Sequence, residues 1–516
     1  MSGFNANTVP SFYREVYQQT CQRGSGKVDK DVFVKVLMKS SLPKQTLSAI
    51  YECLGVRKDD DISREKLYKA LALAALAQQG KTYNLEALDA IDSADYPTPS
   101  LGDLSDLKLL NLRLQREKTP TLLNYTYREL EDLNSVNVEI VPEKKGLFLK
   151  HVEYTVYNER TKSTVCRRYS DFCALHEVLL QRFPYRAIPR LPPKKLAATR
   201  EFLEARCRAL RRYLSLICRH PVVHDSEIVV YFLTAGVSDF QNKMKDKFRN
   251  LPDEFVTSPL AGKAKDLVPI DTQVSFNESK ELLRNVLGSV SKLREIIENI
   301  ITRSGVDARD WQQFGSELSN LANESHASSA WACGNSHTWN QLKGVFKSLT
   351  GYFNEVADIG INQIQGAEDG SFEIFNQFMD ILTSYKDLCD RHEKGVIKDH
   401  QSALQKMSSM KKRQISAQAK GHEAGNTVDQ LESRIIEQES EISNMEFRNY
   451  YSLHCVHMET QLVHANMELF ALSFQELISQ QIKNHKEKLA AWEKMIPIVG
   501  NMVSQNNANS PPSSPH

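Results

Sequence analysis

Six consecutive residues, Arg167-Arg168-Tyr169-Ser170-Asp171-Phe172, concentrate more chemistry than any other stretch of the chain. An arginine fork can give one phosphate two charge-assisted hydrogen bonds, and a neighbouring tyrosine can stack on a ring. Downstream, Pro189-Arg190-Leu191-Pro192-Pro193-Lys194 has the spacing P-x-x-P-x-K, a stiff loop ending in a cation. These residue types suit the capture of a phosphorylated ring. No reaction set accompanies them: neither G-x-S-x-G nor G-x-G-x-x-G occurs. Gly24-Ser25-Gly26-Lys27 ends like a phosphate-binding loop, but Cys21 and Val28 occupy the positions that need glycine and Ser/Thr. His454, Cys455, His457 and His464 lie close together without an H-E-x-x-H pattern, so they are expected on a bundle face and not around a metal. The expectation is a protein that is not an enzyme and has no metal or cofactor.

The charge balance narrows the ligand. Lysine plus arginine is 65 and aspartate plus glutamate 64, a net charge of +1, which argues against a general nucleic-acid binder. Residues 136–236 differ, with 18 basic against 10 acidic residues. A local excess of this kind draws a domain toward an anionic surface. Nine cysteines without any C-x-x-C read as reduced thiols in the cytosol. Residues 1–20 have no basic start and no apolar core, so no secretory signal is expected. The most apolar runs, 70–77 and 228–237, fall well short of the roughly 18 residues that span a bilayer. Membrane contact is therefore expected from the cytosolic side.

The elements that must hold these residues can be read from proline usage and apolar period. None of the 18 prolines lies between Ile270 and Ile496, which favours long uninterrupted helices. Leu282, Val286, Val290, Leu293, Ile297 and Ile300 form one seam, and Trp339, Leu342, Phe346, Leu349, Phe353 and Val356 another. Three helices are expected near 273–323, 337–418 and 427–496, the second bent at Gly366 and Gly370. Val138, Ile140, Leu147, Leu149, Val152, Tyr154 and Val156 read as strands with a turn at 143–146, followed by helices at about 171–182 and 197–220, an α+β domain. Residues 10–80 read as short helices and 81–133 as a linker. In 239–251, Phe240, Met244, Phe248 and Leu251 share one helical face flanked by Lys243, Lys245, Lys247 and Arg249, the make-up of a membrane wedge. Lys406, Lys411, Lys412 and Arg413 form a further basic cluster.

The R-R-Y-x-D-F motif followed by the proline-rich loop resembles the PX (phox homology) domain, a phosphoinositide-binding module, over residues 134–237. The resemblance implies that Arg168 pairs with the 3-phosphate of phosphatidylinositol 3-phosphate, with Arg167 beside it. It implies further that Tyr169 stacks on the inositol, Lys194 meets the 1-phosphate and Arg206 the ring hydroxyls. With a three-helix region at 270–500, the chain resembles the PX–BAR sorting nexins. Residues 1–80, with 33–43, 47–51 and 67–73, resemble a degenerate EH domain, a paired EF-hand that takes Asn-Pro-Phe peptides. Tyr51 stands where that family has tryptophan, and aligning Val28 and Ile62 at loop position 8 leaves no calcium cage.

The implied architecture is multidomain: an all-α EH-like domain, an α+β PX domain, a linker at 238–269 carrying the amphipathic helix, a long α-helical BAR domain and a disordered tail at 501–516. The implied function is peripheral membrane binding on the cytosolic face of early endosomes. There a homodimer or higher oligomer would sense or induce curvature during endosome-to-Golgi cargo retrieval. The rival is a cytosolic coiled-coil scaffold binding peptides through its EH-like part, with lipid contact incidental.

Overall fold

In the computed structural model, Val28 and Ile62 face each other across an antiparallel pair of two-residue strands. The structure describes residues 8–21, 26–56, 62–104, 107, 111, 123, 125–141, 152–195, 199–268, 271–324, 337–419 and 425–500. The turn at 143–146, Leu147, Leu149 and the tail lie outside the described residues, as do Arg23, Ser25, Arg57 and Asp59 of the segments aligned with calcium loops.

The chain forms two units, Met1–Thr126 and Tyr127–His516. The first runs α1 (Ser11–Thr20), β1 (Lys27–Val28), α2 (Lys30–Met38), α3 (Lys44–Cys53), β2 (Ile62–Ser63), α4 (Arg64–Gln78) and α5 (Leu85–Asp89). Each strand leads into a helix capped by its own neighbour. The Asp29 carboxylate accepts from the Asp31 N–H and the Ser63 hydroxyl from that of Lys66. Tyr13, Phe33, Ile50 and Tyr68 are fully buried between the helices. The linker expected from residue 81 is not what forms first. Leu88, Tyr96, Leu101, Leu104 and Leu107 belong to the same core. The Tyr13 hydroxyl donates to the Pro97 carbonyl, and Gln78 bonds Ser40 and Ser100. Apolar anchors at irregular intervals among turn residues carry no period, which is why this stretch reads as linker.

The second unit opens with α6 (Tyr127–Glu131) and an antiparallel sheet β3 (Val136–Ile140), β4 (Glu153–Asn158) and β5 (Ser163–Arg168), in that order. Alternation along β4 buries Tyr154, Val156 and Asn158. Against the sheet pack α7 (Tyr169–Arg182), α8 (Arg200–Arg219) and α9 (Glu227–Thr234), around fully buried Phe172, Tyr213 and Phe232.

Helix α10 (Phe240–Phe248) joins this core, which corrects the expected wedge. Phe240, Met244 and Phe248 are at most 4% exposed, and Leu251 is half-buried on the same cluster. Phe240 stacks on Tyr231 at 5.5 Å, and Lys245 and Lys247 pair with Glu177 and Glu227. A one-faced apolar helix serves a bilayer or a protein core equally well; here Tyr231 and Phe232 supply the protein floor. Phe240→Glu with Phe248→Glu should therefore cost about 3–5 kcal/mol or more through lost packing and buried charge. A large drop in melting temperature is expected; normal melting would mean that the helix can leave its seat.

The linker expected over 238–269 is instead a strap. Its α11 (Glu254–Thr257) and α12 (Ala264–Leu267) bring Phe255 and Ala264 against Tyr185, Tyr451 and Cys455. The rod follows: α13 (Thr272–Asn323), α14 (His337–Asp369), α15 (Ser371–Arg391), a π turn (His392–Ile397), α16 (Lys398–Gln418), α17 (Gly425–Ala465) and α18 (Met467–Glu493). Phe276, Leu283, Val290 and Ile297 are its buried first seam, one per heptad. Leu293 is half-buried there, whereas Leu282 is exposed, so the seam runs one residue off the expected start. Phe353 and Val356 anchor the second seam, with Leu349 half-buried. The expected bend falls at Gly370 alone. A Cβ there would lie 2.1 Å from Gln480 Nε2 and 2.8 Å from the Gly366 carbonyl oxygen. Among the described residues no helix is long and apolar enough to cross a membrane.

Candidate functional site

Arg168 ends β5 opposite Glu153 and caps α7. Asp171 fixes that corner by accepting the Arg168 N–H at 2.8 Å. The aspartate of the motif thus shapes the strand-to-helix turn, and its neighbours inherit their places from it. Helix α7 presents its N-terminus here, the end that favours an anion. The Arg168 side chain is 40% exposed, with its Nε 3.5 Å from Asp171 and its Nη2 3.9 Å from Asp239. Neither contact is a close hydrogen bond. Arg168, Asp171 and Asp239 line a groove of about 630 Å³ together with Glu153, Cys166 and Ser238. Asp239 is a residue that motif reading misses. It holds left-handed backbone at φ 52° just before α10, and the order of residues gives no sign that it meets Arg168.

Tyr169 lies on the other side of the corner. Its hydroxyl donates to the Pro192 carbonyl, which ties the proline-rich loop to α7. The Arg206 guanidinium sits 5.1 Å from the Tyr169 ring and donates from Nε to the Tyr154 hydroxyl at 2.8 Å. Arg208, the other arginine on that turn of α8, points away and reaches Glu368 of the rod at 3.5 Å. Lys194 is exposed two residues beyond Pro192. Burial pushes the Cys173 thiol up, while the Tyr169 hydroxyl and, more weakly, Lys194 pull the other way. Tyr169, Arg206 and the loop carrying Lys194 are therefore together, and Arg168 adjoins them.

Arg167 is a correction. It is 2% exposed and faces inward. Its Nε and Nη2 donate to the Phe232 carbonyl, Nη2 also to that of Ala235, and Nη1 to that of Cys166. Its guanidinium lies 3.8 Å from the Phe240 ring centre. Burial draws its pKa down to about 10, with Asp171 opposing. Strand alternation explains the difference: consecutive residues face opposite sides, so one arginine of the pair turns inward. Arg167 joins β5 to α9 and α10, with four of its five N–H donors spent on these backbone carbonyls.

The PX domain family matches residues 155–235, and the family described as the sorting nexin 8/Mvp1 BAR domain matches 250–506. Sorting nexin-8 of Homo sapiens is 45% identical over 447 residues, covering 85% of this chain and 96% of that protein. The chain belongs to the sorting nexin 8/Mvp1 family. Sorting nexin MVP1 of Kluyveromyces lactis is 24% identical over 383 residues, 72% of this chain and 74% of that protein. A solved structure, the cryo-EM structure of the SNX-BAR Mvp1 tetramer, shares the fold with a TM-score of 0.57 at 22% identity, over 70% of this chain and 99% of that one. This sorting nexin therefore has the PX and BAR domains expected from its motifs, and no catalytic family is indicated.

Within the sorting nexin, the PX domain and the rod are joined by charge. Arg186, before the proline-rich loop, pairs with Glu254 of the strap at 2.8 Å and with Glu459 of α17 at 3.6 Å. His220 adds a 3.0 Å contact to Glu459. Arg212 of α8 reaches Glu373 at 2.7 Å and Asp380 at 2.8 Å on α15. Arg391 of α15 donates to the Pro184 and Arg186 carbonyls. These contacts fasten the PX domain directly to the rod helices.

Proposed function

We propose that this sorting nexin binds phosphatidylinositol 3-phosphate on the cytosolic face of early endosomes and shapes or senses tubules as a BAR homodimer during endosome-to-Golgi retrieval of cargo. The observation that carries the lipid reading is Arg168, a half-exposed guanidinium at a helix N-terminus whose ion pairs to Asp171 and Asp239 are long, next to Tyr169, Arg206 and the lysine-tipped loop. Arg168 would take the 3-phosphate, Tyr169 the inositol face, Lys194 the 1-phosphate and Arg206 the ring hydroxyls. Flotation of the full chain with liposomes tests this. Flotation with phosphatidylinositol 3-phosphate and none with unphosphorylated phosphatidylinositol supports it; equal behaviour with both favours the peptide-binding scaffold.

The rod supports the dimer. In α16, 21 residues long, only Ala403 is buried. Leu404 there and Ile436 in α17 are 41% and 61% exposed. A coiled-coil arm with so little core needs a second chain. Leu404→Asp with Ile436→Asp should yield a monomer that melts near wild type within its own core, because each apolar side chain covered by a partner contributes roughly 1.5–3 kcal/mol. Analytical ultracentrifugation decides: a double variant that stays dimeric places the interface elsewhere.

The N-terminal unit, with paired helix–strand–helix halves joined at Val28 and Ile62, fits an EH-like peptide binder for Asn-Pro-Phe motifs. Tyr51, edge-on to Phe33 at 5.7 Å, would stand in for the family's tryptophan.

A further inference from the structure

The proline-rich loop that carries Lys194 is not positioned by the PX domain alone. Its outgoing side is tied to α7 through the Tyr169 hydroxyl on the Pro192 carbonyl. Its incoming side is held by the rod. Arg391 donates to the Pro184 and Arg186 carbonyls at 3.1 and 2.6 Å, and the Ala187 N–H points to Glu459 at 3.4 Å. Between these, Arg190 sets Nε and Nη2 each 2.5 Å from the two carboxylate oxygens of Asp387 on α15. Asp387 is 20% exposed and Arg190 61%, so the loop reaches outward to a carboxylate that the rod already holds. The hydrogen bond to Asp387 raises the Arg190 pKa, in keeping with a formed pair.

A two-bond arginine–carboxylate pair fixes orientation as well as distance. Arg190 stands one residue after Pro189 and two before Pro192, where locked backbone angles pass a constraint along the loop. The pair therefore acts on the two groups the loop presents, the Lys194 ammonium and the Pro192 carbonyl that orients Tyr169.

We propose that Asp387, a BAR residue outside the headgroup site, is a positioning residue for phosphoinositide binding, acting through Arg190 and the proline-rich loop. The inference rests on the phosphoinositide reading above. Coupling of this kind is reciprocal: what displaces Asp387 along the rod weakens headgroup binding, and a bound headgroup stiffens the joint.

The test is calorimetric titration of the full chain with a soluble short-chain phosphatidylinositol 3-phosphate, which removes membrane avidity and surface charge from the reading. Asp387→Ala and Arg190→Ala should each weaken binding by about two- to fivefold, within the range an exposed ion pair spans. The double variant should be no weaker than either single one, because both remove the same coupling. Melting of all three is compared with wild type, and a purely structural role would lower melting without this non-additive pattern. Wild-type affinity in Asp387→Ala overturns the inference, as does a loss that persists when Asp387→Ala is made in the Arg190→Ala background. If Arg168→Ala abolishes binding while Asp387→Ala does not change it, the inference alone fails. If the wild type does not bind, or Arg168→Ala binds equally well, the phosphoinositide reading fails and the inference with it.

Discussion

Arg168→Ala should weaken binding to phosphatidylinositol 3-phosphate by about a hundredfold, the loss of two charge-assisted hydrogen bonds. The fold should survive. The side chain makes only distant contacts, 3.5 Å to Asp171 and 3.9 Å to Asp239, and the bond that shapes the corner uses the backbone N–H of residue 168, which alanine keeps. Arg167→Ala should behave in the opposite way. Three carbonyls lose their donor and Phe240 loses its cation, so stability falls before lipid is ever offered. The two adjacent arginines thus provide an internal control. Liposome flotation paired with thermal melting separates them, and an Arg168→Ala protein that floats like wild type would refute the headgroup assignment.

Glu459→Ala should be the most damaging single change at the joint. The carboxylate is buried against Arg186, His220 and the Ala187 N–H. Removing it leaves the buried Arg186 guanidinium with Glu254 alone, and breaking a buried pair in this way costs about 3–5 kcal/mol. Burial pushes the Glu459 carboxyl up, but His220 and Arg186 outweigh it and hold the net value below the ordinary carboxylate range. A depressed folded value stabilises above the unfolded pKa of about 4.3 and is lost only as the pH falls through the folded value. The joint should therefore hold at neutral and mildly acidic pH and open only in stronger acid. Calorimetric melting of Glu459→Ala at neutral pH is the measurement, and an unchanged transition would mean that the PX domain and rod do not share this core.

The corner that carries the candidate site was legible because its residues are consecutive: a half-exposed arginine, an aromatic and the aspartate that caps the helix all fall within one turn of chain. Helices of the rod were legible for a related reason, since their seams repeat at a fixed step. What stayed hidden has a common physical form. Period two along β5 turns Arg167 inward and leaves Arg168 at the rim, which an arginine pair read as a unit conceals. An amphipathic face on α10 does not name the surface that covers it, and Tyr231 and Phe232 took the place assigned to lipid. The joint draws Arg186, His220, Glu254 and Glu459 from four distant points in the chain. No spacing rule links them, so only the fold reveals that the segment after the PX domain is a strap.

Electron microscopy of liposomes containing phosphatidylinositol 3-phosphate, incubated with the full chain, tests the central claim most directly. The proposed dimer, with its proposed headgroup sites fastened to the rod, should convert the vesicles into protein-coated tubules, and should leave vesicles of unphosphorylated phosphatidylinositol round and bare. Round vesicles that nevertheless carry bound protein would contradict the account, because lipid recognition would then be working without the rod.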